Sequence, residues 1–154
     1  MKKTVLLISI FIYQISIACS AFYFNGENKI FAKNFDWGFG QGYLIKNIRG
    51  QQKYAYGFRG NNVAGWTSKF GSITFNQNGK EFPYGGINEK GLVVEQLWLG
   101  NTEYQENNNK TISELEWIQY QLDNYENVDE VIKNINSLTI KPIARIHYFL
   151  ADKN

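Results

Sequence analysis

The chain has 154 residues, 44% of them apolar and 16% aromatic, including ten tyrosines, eleven phenylalanines and four tryptophans. That length and composition suit one globular domain with a substantial core and exclude a disordered chain. With 16 basic and 14 acidic side chains and no basic block, neither nucleic acid nor an anionic membrane surface is an expected partner.

The chain opens as a leader. Met1-Lys2-Lys3 is a positive start, Thr4 to Ile17 is apolar apart from Ser9, Gln14 and Ser16, and Ser16-Ile17-Ala18 places small residues where a signal peptidase reads them. The expectation is a signal peptide over 1–18, cleaved after Ala18, and an exported chain, periplasmic or extracellular. The run is too short and too polar near its end for a membrane span, which takes about 20 apolar residues. Removing Lys2 and Lys3 leaves 14 basic against 14 acidic side chains, a near-neutral mature chain.

Strand patterns follow. Ser20 to Phe24 alternates small and aromatic residues, Lys29 to Asn34 has a short apolar–polar alternation, and Tyr43 to Ile48 and Lys53 to Phe58 alternate on either side of an Arg49-Gly50 turn. Phe70 to Phe75 and Gly91 to Leu99 are further strands. Asn76-Gln77-Asn78-Gly79 is a hairpin signal, and Asn88-Glu89-Lys90-Gly91 a tight turn. Two helices come next. Thr111-Ile-Ser-Glu114 is read as a capping box opening a helix with Leu115, Ile118 and Leu122 on one face and Trp117 and Tyr125 at its flanks. Asn127-Val-Asp-Glu130 opens a second, with Val131, Ile132 and Ile135. This αα-hairpin needs a sheet to cover, and a last strand, Arg145 to Ala151, leads directly into the final residues. Helices covering one side only of so many strands suggest a piece of something longer.

Cys19 is the single cysteine, so it forms no internal disulfide. Cleavage after Ala18 makes it the first residue, with thiol and α-amine on one residue. A free thiol titrates near about 8.5 and an α-amine near about 7.7–8.0, so the amine can take the thiol proton. An N-terminal nucleophile using its own amine as base is one solution to amide cleavage. Two other readings carry equal weight from position alone: a small core hydrophobe, or the lipidated cysteine of an envelope protein, since Ile17-Ala18-Cys19 suits a lipobox. Fourteen residues on, Phe31 to Gly42 reads FAKNFDWGFGQG. There Lys33 supplies a charge that would favour a nearby thiolate, and Asp36 a carboxylate able to hold an ammonium. Taken singly, each is first a surface lysine and a turn aspartate. Gly38, Gly40 and Gly42 precede no helix and form no phosphate loop; they would let a loop pass the Cys19 pocket. Trp37, Phe39, Tyr43 and Trp66 are candidates for an apolar acyl pocket and equally for core. Glu95 is read as a sheet-face or loop-anchoring carboxylate, and His147, the one histidine, as a satisfied core residue. One histidine and one cysteine make no metal constellation.

Cys19-Ser20-Ala21-Phe22 followed by Lys33-Asn34-Phe35-Asp36-Trp37 resembles the opening of the choloylglycine hydrolase and penicillin V acylase family, linear-amide hydrolases of the N-terminal-nucleophile superfamily. Gly65 to Leu99 looks like that family's middle region, with Gly85 to Leu92, GGINEKGL, its most specific piece. Trp117 to Ile132 and Ile146 to Asp152 match in order. The resemblance covers the mature chain and about the first half of a family member. It implies an α+β fold, an αββα sandwich, here incomplete: strands of both sheets plus one helical hairpin layer. Residues 19–154 would be the N-terminal part of that domain, its C-terminal half missing.

The resemblance also implies roles. Cys19 matches the nucleophile and Asp36 the aspartate at its α-amine. Lys33 stands where bile-salt hydrolases have an arginine, keeping the charge without the planar fork. Trp98 falls where the family places an asparagine or tyrosine of the oxyanion hole, and Trp37 is counted with it among the substrate and oxyanion residues. A second oxyanion asparagine and a late arginine of the family lie beyond the end of the sequence. No cofactor is implied. The expected partner is a small-molecule N-acyl amide (a bile-salt conjugate, a phenoxyacyl penicillin or an N-acyl homoserine lactone), with homo-oligomerisation left open. The alternative is a catalytically inactive fragment or a Cys19-lipidated protein binding hydrophobic ligands.

Overall fold

The computed structural model describes residues 19–56 and 62–154. The expected leader over 1–18, and part of the strand expected over Lys53 to Phe58, lie outside these. Among the described residues no helix is long and apolar enough to cross a membrane.

Among the described residues, eleven strands and two helices follow in order: β1 Ser20–Asn25, β2 Lys29–Asn34, β3 Tyr43–Asn47, β4 Gln52–Tyr54, β5 Gly65–Thr67, β6 Ser72–Asn76, β7 Pro83–Asn88, β8 Val93–Trp98, β9 Thr111–Ile112, α1 Glu114–Asn124, α2 Val128–Lys133, β10 Thr139–Ile140 and β11 Ile146–Ala151. The centre is a five-stranded antiparallel sheet in the order β11-β8-β7-β6-β3. β1 and β2 form a separate hairpin, β4 pairs with β5, and the short β9 runs parallel to β10. The Arg49-Gly50 turn is present, but it does not join two paired strands: β3 pairs with β6, because β4 turns away to meet β5.

The period-two pattern explains the layering. On β8, Val94 (0% exposed) faces α1 and joins Leu92, Trp117, Ile118, Leu122 and Val131 in the core. Leu92, Ile118 and Leu122 are wholly buried, each contributing about 1.5–3 kcal/mol of transfer free energy. Ile132 and Ile135, expected on the apolar stripe of the second helix, are instead exposed, because this six-residue helix turns only Val131 inward.

The opposite face of the sheet carries a row that crosses all five strands: Leu44, Phe75, Gly85, Glu95 and Phe149 are successive partners. The β1–β2 hairpin lies over one end of this face. Phe31 packs on Phe149 with centroids 5.2 Å apart, and the Tyr23 hydroxyl donates to the Asp152 carbonyl at 3.0 Å. Strands of two sheets with helices over one of them make the incomplete N-terminal-nucleophile sandwich that the sequence implied.

The first capping box is displaced. The N-cap of α1 is Ser113, not Thr111, with Glu116 as its reciprocal partner. Thr111 is taken by the β9–β10 ladder, and Glu114 is used elsewhere. Asn127 caps α2 as expected. The GGINEKGL stretch proves mainly architectural. Asn88 donates to the Leu122 and Tyr125 carbonyls at the end of α1, at 2.9 and 2.8 Å, while its own amide oxygen accepts from the Lys90 and Leu92 backbone N–H groups. One side chain therefore ties the β7–β8 turn to a helix end, satisfying carbonyls that α1 leaves open. A Cβ on Gly86 would stand 2.4 Å from the Ile73 carbonyl oxygen, so only glycine lets β6 and β7 approach there.

Candidate active site

Cys19 immediately precedes β1 and is half-buried at the mouth of a cleft of about 400 Å³. β1 pairs in register with β2, Ser20 opposite Asn34, so the residues just past β2 return to the cysteine's end of the hairpin. This is what brings Asp36 and Trp37 to the same cleft as Cys19, across seventeen residues of chain. Trp98 enters at the end of β8. A run of aromatic contacts forms the wall: Tyr84 edge-on to Phe35 at 4.9 Å, Phe35 stacked on Trp37 at 6.1 Å, and Trp37 tilted against Trp98 at 6.0 Å. Leu115 and Ile143 close the other side.

Asp36 is half-buried, and one of its carboxylate oxygens accepts from the Asn34 amide at 2.7 Å, which holds the carboxylate in place. Trp98 is 55% exposed and Trp37 48% exposed. Cys19, Asp36, Trp37 and Trp98 are therefore brought together. Lys33 is placed differently. Its side chain points between the hairpin and the sheet, into a neighbouring cleft that does not include Cys19. There the ammonium donates to Glu95 at 3.0 Å and to the Tyr84 carbonyl at 3.2 Å, with both charged side chains 9% exposed, and lies 5.1 Å from the Phe35 ring centre. Of the proposed pocket aromatics only Trp37 lines the Cys19 cleft. Tyr43 borders the Lys33 cleft, Phe39 is 70% exposed, and Trp66 packs on Tyr120 and donates to Asp123. His147 lies in a third cleft, and its buried Nδ1 has no hydrogen-bond partner among the described residues, so it is not the satisfied core histidine expected.

Glu95 has the anchoring role expected of it, toward Lys33. Gly85 makes this possible: a Cβ there would sit 1.8 Å from a Glu95 carboxylate oxygen, so the carboxylate lies across the space that glycine leaves open. Burial raises the Glu95 carboxyl above the ordinary carboxylate range, and the Lys33 charge partly offsets this. A raised native value means that the folded chain holds this proton to higher pH than the unfolded chain does. Stability from this group is therefore present at low pH and falls as pH rises through the raised value, then levels. Urea midpoints measured across that range should show the slope in the native chain and a flatter line in Glu95→Gln. An unchanged slope would show that Glu95 titrates like a free carboxylate.

Glu114 was missed in the sequence because it was assigned to a capping box. Its two carboxylate oxygens accept the backbone N–H groups of Ile143 and Ala144, each at 2.9 Å, and so fix the loop that forms one side of the cleft. Gln96, buried at 4% exposure on β8, also borders the cleft and carried no sequence signal beyond its place in a strand. Among the described residues there is no cluster of three or more histidine, cysteine or acidic side chains fit to hold a metal ion.

The family model described as linear amide C–N hydrolases of the choloylglycine hydrolase family matches residues 19–154. A penicillin V acylase of Pectobacterium atrosepticum is 29% identical over 162 residues, covering 91% of this chain and 43% of that protein. The structure of penicillin V acylase from Agrobacterium tumefaciens superposes with a TM-score of 0.73 at 31% identity, over 86% of this chain and 43% of that one. A conjugated bile acid hydrolase from Clostridium perfringens, 19% identical, shares the fold with a TM-score of 0.68 over 88% of this chain and 45% of its own. The chain thus spans less than half the length of these relatives.

Proposed function

Because the chain belongs to the choloylglycine hydrolase family of linear amide C–N hydrolases, we propose that it hydrolyses a small, linear N-acyl amide, with Cys19 as nucleophile. The observation that carries this reading is the shared cleft: the chain's one thiol, Asp36 and two tryptophans from distant segments border one aromatic-walled space.

The chemistry needs the leader removed after Ala18, an export event proposed here together with the activity. The freed α-amine of Cys19 takes the thiol proton, and Sγ attacks the acyl carbonyl. Asp36, whose carboxylate accepts from the Asn34 amide and borders the same cleft, is assigned the resulting ammonium. The oxyanion is received by N–H donors at the Trp98 end of the cleft, the indole or the backbone. The ammonium then protonates the departing amine, leaving a Cys19 thioester, and water activated by the same amine releases the acid. Lys33 is assigned a supporting part: paired with Glu95 and the Tyr84 carbonyl, it fixes the hairpin that carries Cys19 against the sheet. The acyl group is apolar, matched to Phe35, Trp37 and Leu115.

Intact mass and N-terminal sequencing of the exported protein, followed by mass spectrometry of the chain quenched during turnover of an N-acyl amide, test the proposal. A chain beginning at Cys19 with an acyl adduct on that residue is the expected result. A retained leader, or a diacylglyceryl thioether on Cys19, would overturn it, since the first ties up the α-amine in a peptide bond and the second blocks the thiol.

A further inference from the structure

Three buried polar side chains border the Cys19 cleft: Gln96 at 4% exposure, Ser113 at 6% and Glu114 at 3%. Two are committed. The Ser113 hydroxyl donates to Glu116 at 2.7 Å, and the Glu114 carboxylate accepts from Ile143 and Ala144. The other polar groups along the wall are engaged too. Tyr84 accepts from Asn78 at 3.0 Å, Asp36 accepts from Asn34, and the hydroxyl of Tyr148, the cross-strand partner of Gln96, donates to the Glu114 carbonyl at 2.8 Å. Gln96 alone among these buried groups makes no side-chain hydrogen bond to any described residue. Its amide atoms are not sealed from solvent, so the carboxamide opens onto the cleft with donor and acceptor both free. In a cleft wide enough for a small molecule, such a group serves to meet a ligand.

We infer that Gln96 is a specificity-determining residue, which hydrogen-bonds a neutral oxygen (an ether, carbonyl or hydroxyl) carried on the acyl chain of the substrate. The inference rests on the amidase reading for the word substrate, but the binding it describes does not require turnover. Neutrality follows from the surroundings. Glu114 and Glu116 occupy the first turn of α1, and Asp36 borders the same cleft, so a carboxylate there would meet negative charge. A glutamine is suited to the task because its amide nitrogen donates to an ether or carbonyl, and its oxygen accepts from a hydroxyl. It stands two residues before Trp98 on β8, so an oxygen it recognises lies within the same acyl group that Cys19 would attack.

The test uses the full chain carrying Cys19→Ala, which binds without turnover, and three glycine amides of matched shape: 4-phenylbutanoyl, benzyloxyacetyl and 3-phenoxypropanoyl. The ethers differ from the hydrocarbon by one oxygen in place of a methylene, at two positions along the chain. Calorimetric or NMR titration should show at least one ether binding about 10-fold more tightly than the hydrocarbon. Gln96→Met, of similar length and apolar, should erase that preference while the hydrocarbon binds as well or better. Gln96→Glu, which replaces the donor with a charge, should erase it too. An equal ether preference in the glutamine and methionine proteins would overturn the inference, as would no binding of any of the three by a folded Cys19→Ala chain. If the preference is present but the native chain hydrolyses none of these amides, the amidase reading fails and the recognition site stands. If hydrolysis occurs with the same ether preference in native and Gln96→Met chains, the reverse holds.

Discussion

Replacing Cys19 with alanine is expected to abolish amide hydrolysis, lowering kcat by on the order of 10⁴-fold or more while leaving the fold intact. The magnitude follows from the double role proposed for this residue, the thiol as nucleophile and its own α-amine as proton carrier, so that removing the sulfur would leave no covalent route. The fold should tolerate the change, because Cys19 is half-buried at the edge of β1, in a cleft rather than in the core. Cys19→Ser is the sharper variant. It keeps the amine and the geometry but substitutes a hydroxyl, which ionises far less readily than a thiol, so its activity should also fall steeply while ligand binding persists. Release of amine from an N-acyl amide, measured beside urea unfolding of each variant, separates chemistry from stability. Turnover equal to that of the native chain in either variant would exclude Cys19 as the nucleophile.

The largest expected effect on stability comes from a site at the other end of α1. Asp123, 0% exposed near the end of α1, accepts from the Trp66 indole at 2.7 Å and the Gln119 amide at 2.9 Å, and lies 3.0 Å from the Lys53 ammonium. Its backbone carbonyl takes the N–H groups of Lys69 and Phe70. Burial raises its carboxyl above the ordinary range, and the Lys53 charge and the Trp66 bond hold it down. Lys53, 6% exposed, also has Glu81 at 3.2 Å; charge rather than well-aligned hydrogen bonds holds this ammonium. Asp123→Ala removes the acceptor for an indole and an amide, and leaves a buried ammonium with one partner. A loss of about 3 kcal/mol or more is expected, within the range of about 3–5 kcal/mol for breaking buried pairs. With urea m-values of about 1–3 kcal/mol/M, the midpoint should fall by at least about 1 M. The double change Lys53→Met with Asp123→Leu should recover much of that loss, since the desolvation cost of both charges disappears. A midpoint in Asp123→Ala within error of the native chain would show that solvent reaches this pair.

This cluster left no sequence signal. Lys53 reads as an exposed strand residue and Asp123 as an exposed helix residue, and neither position predicts the other across seventy residues of chain. The same limit explains Glu114 and the displaced capping box. Local spacing pointed to Thr111 as the cap, and pairing of β9 with β10, a non-local event, took Thr111 and left Ser113 to cap the helix. Lys33 shows the converse. Its spacing from Cys19 and Asp36 was legible, but its direction was not: Ala21 faces Lys33 across the hairpin, and Glu95, brought over by the open space at Gly85, draws the ammonium to the sheet.

What the sequence determined by itself was whatever depends on local chemistry and period. That includes the strand and helix patterns, the single thiol at the end of a leader-like run, the Cys19-to-Asp36 spacing that a hairpin closes, and the likeness that the family match over residues 19–154 upholds. Tertiary structure alone decided which polar groups meet. It sent Lys33 to Glu95, Glu114 to the loop at Ile143, and Asp123 to Lys53, and it left Gln96 facing the cleft without a partner. The physical reason is that a side chain's face follows from its own strand or helix. Its partner follows from burial, where every charge and amide must find a counterpart, and that counterpart can lie anywhere along the chain.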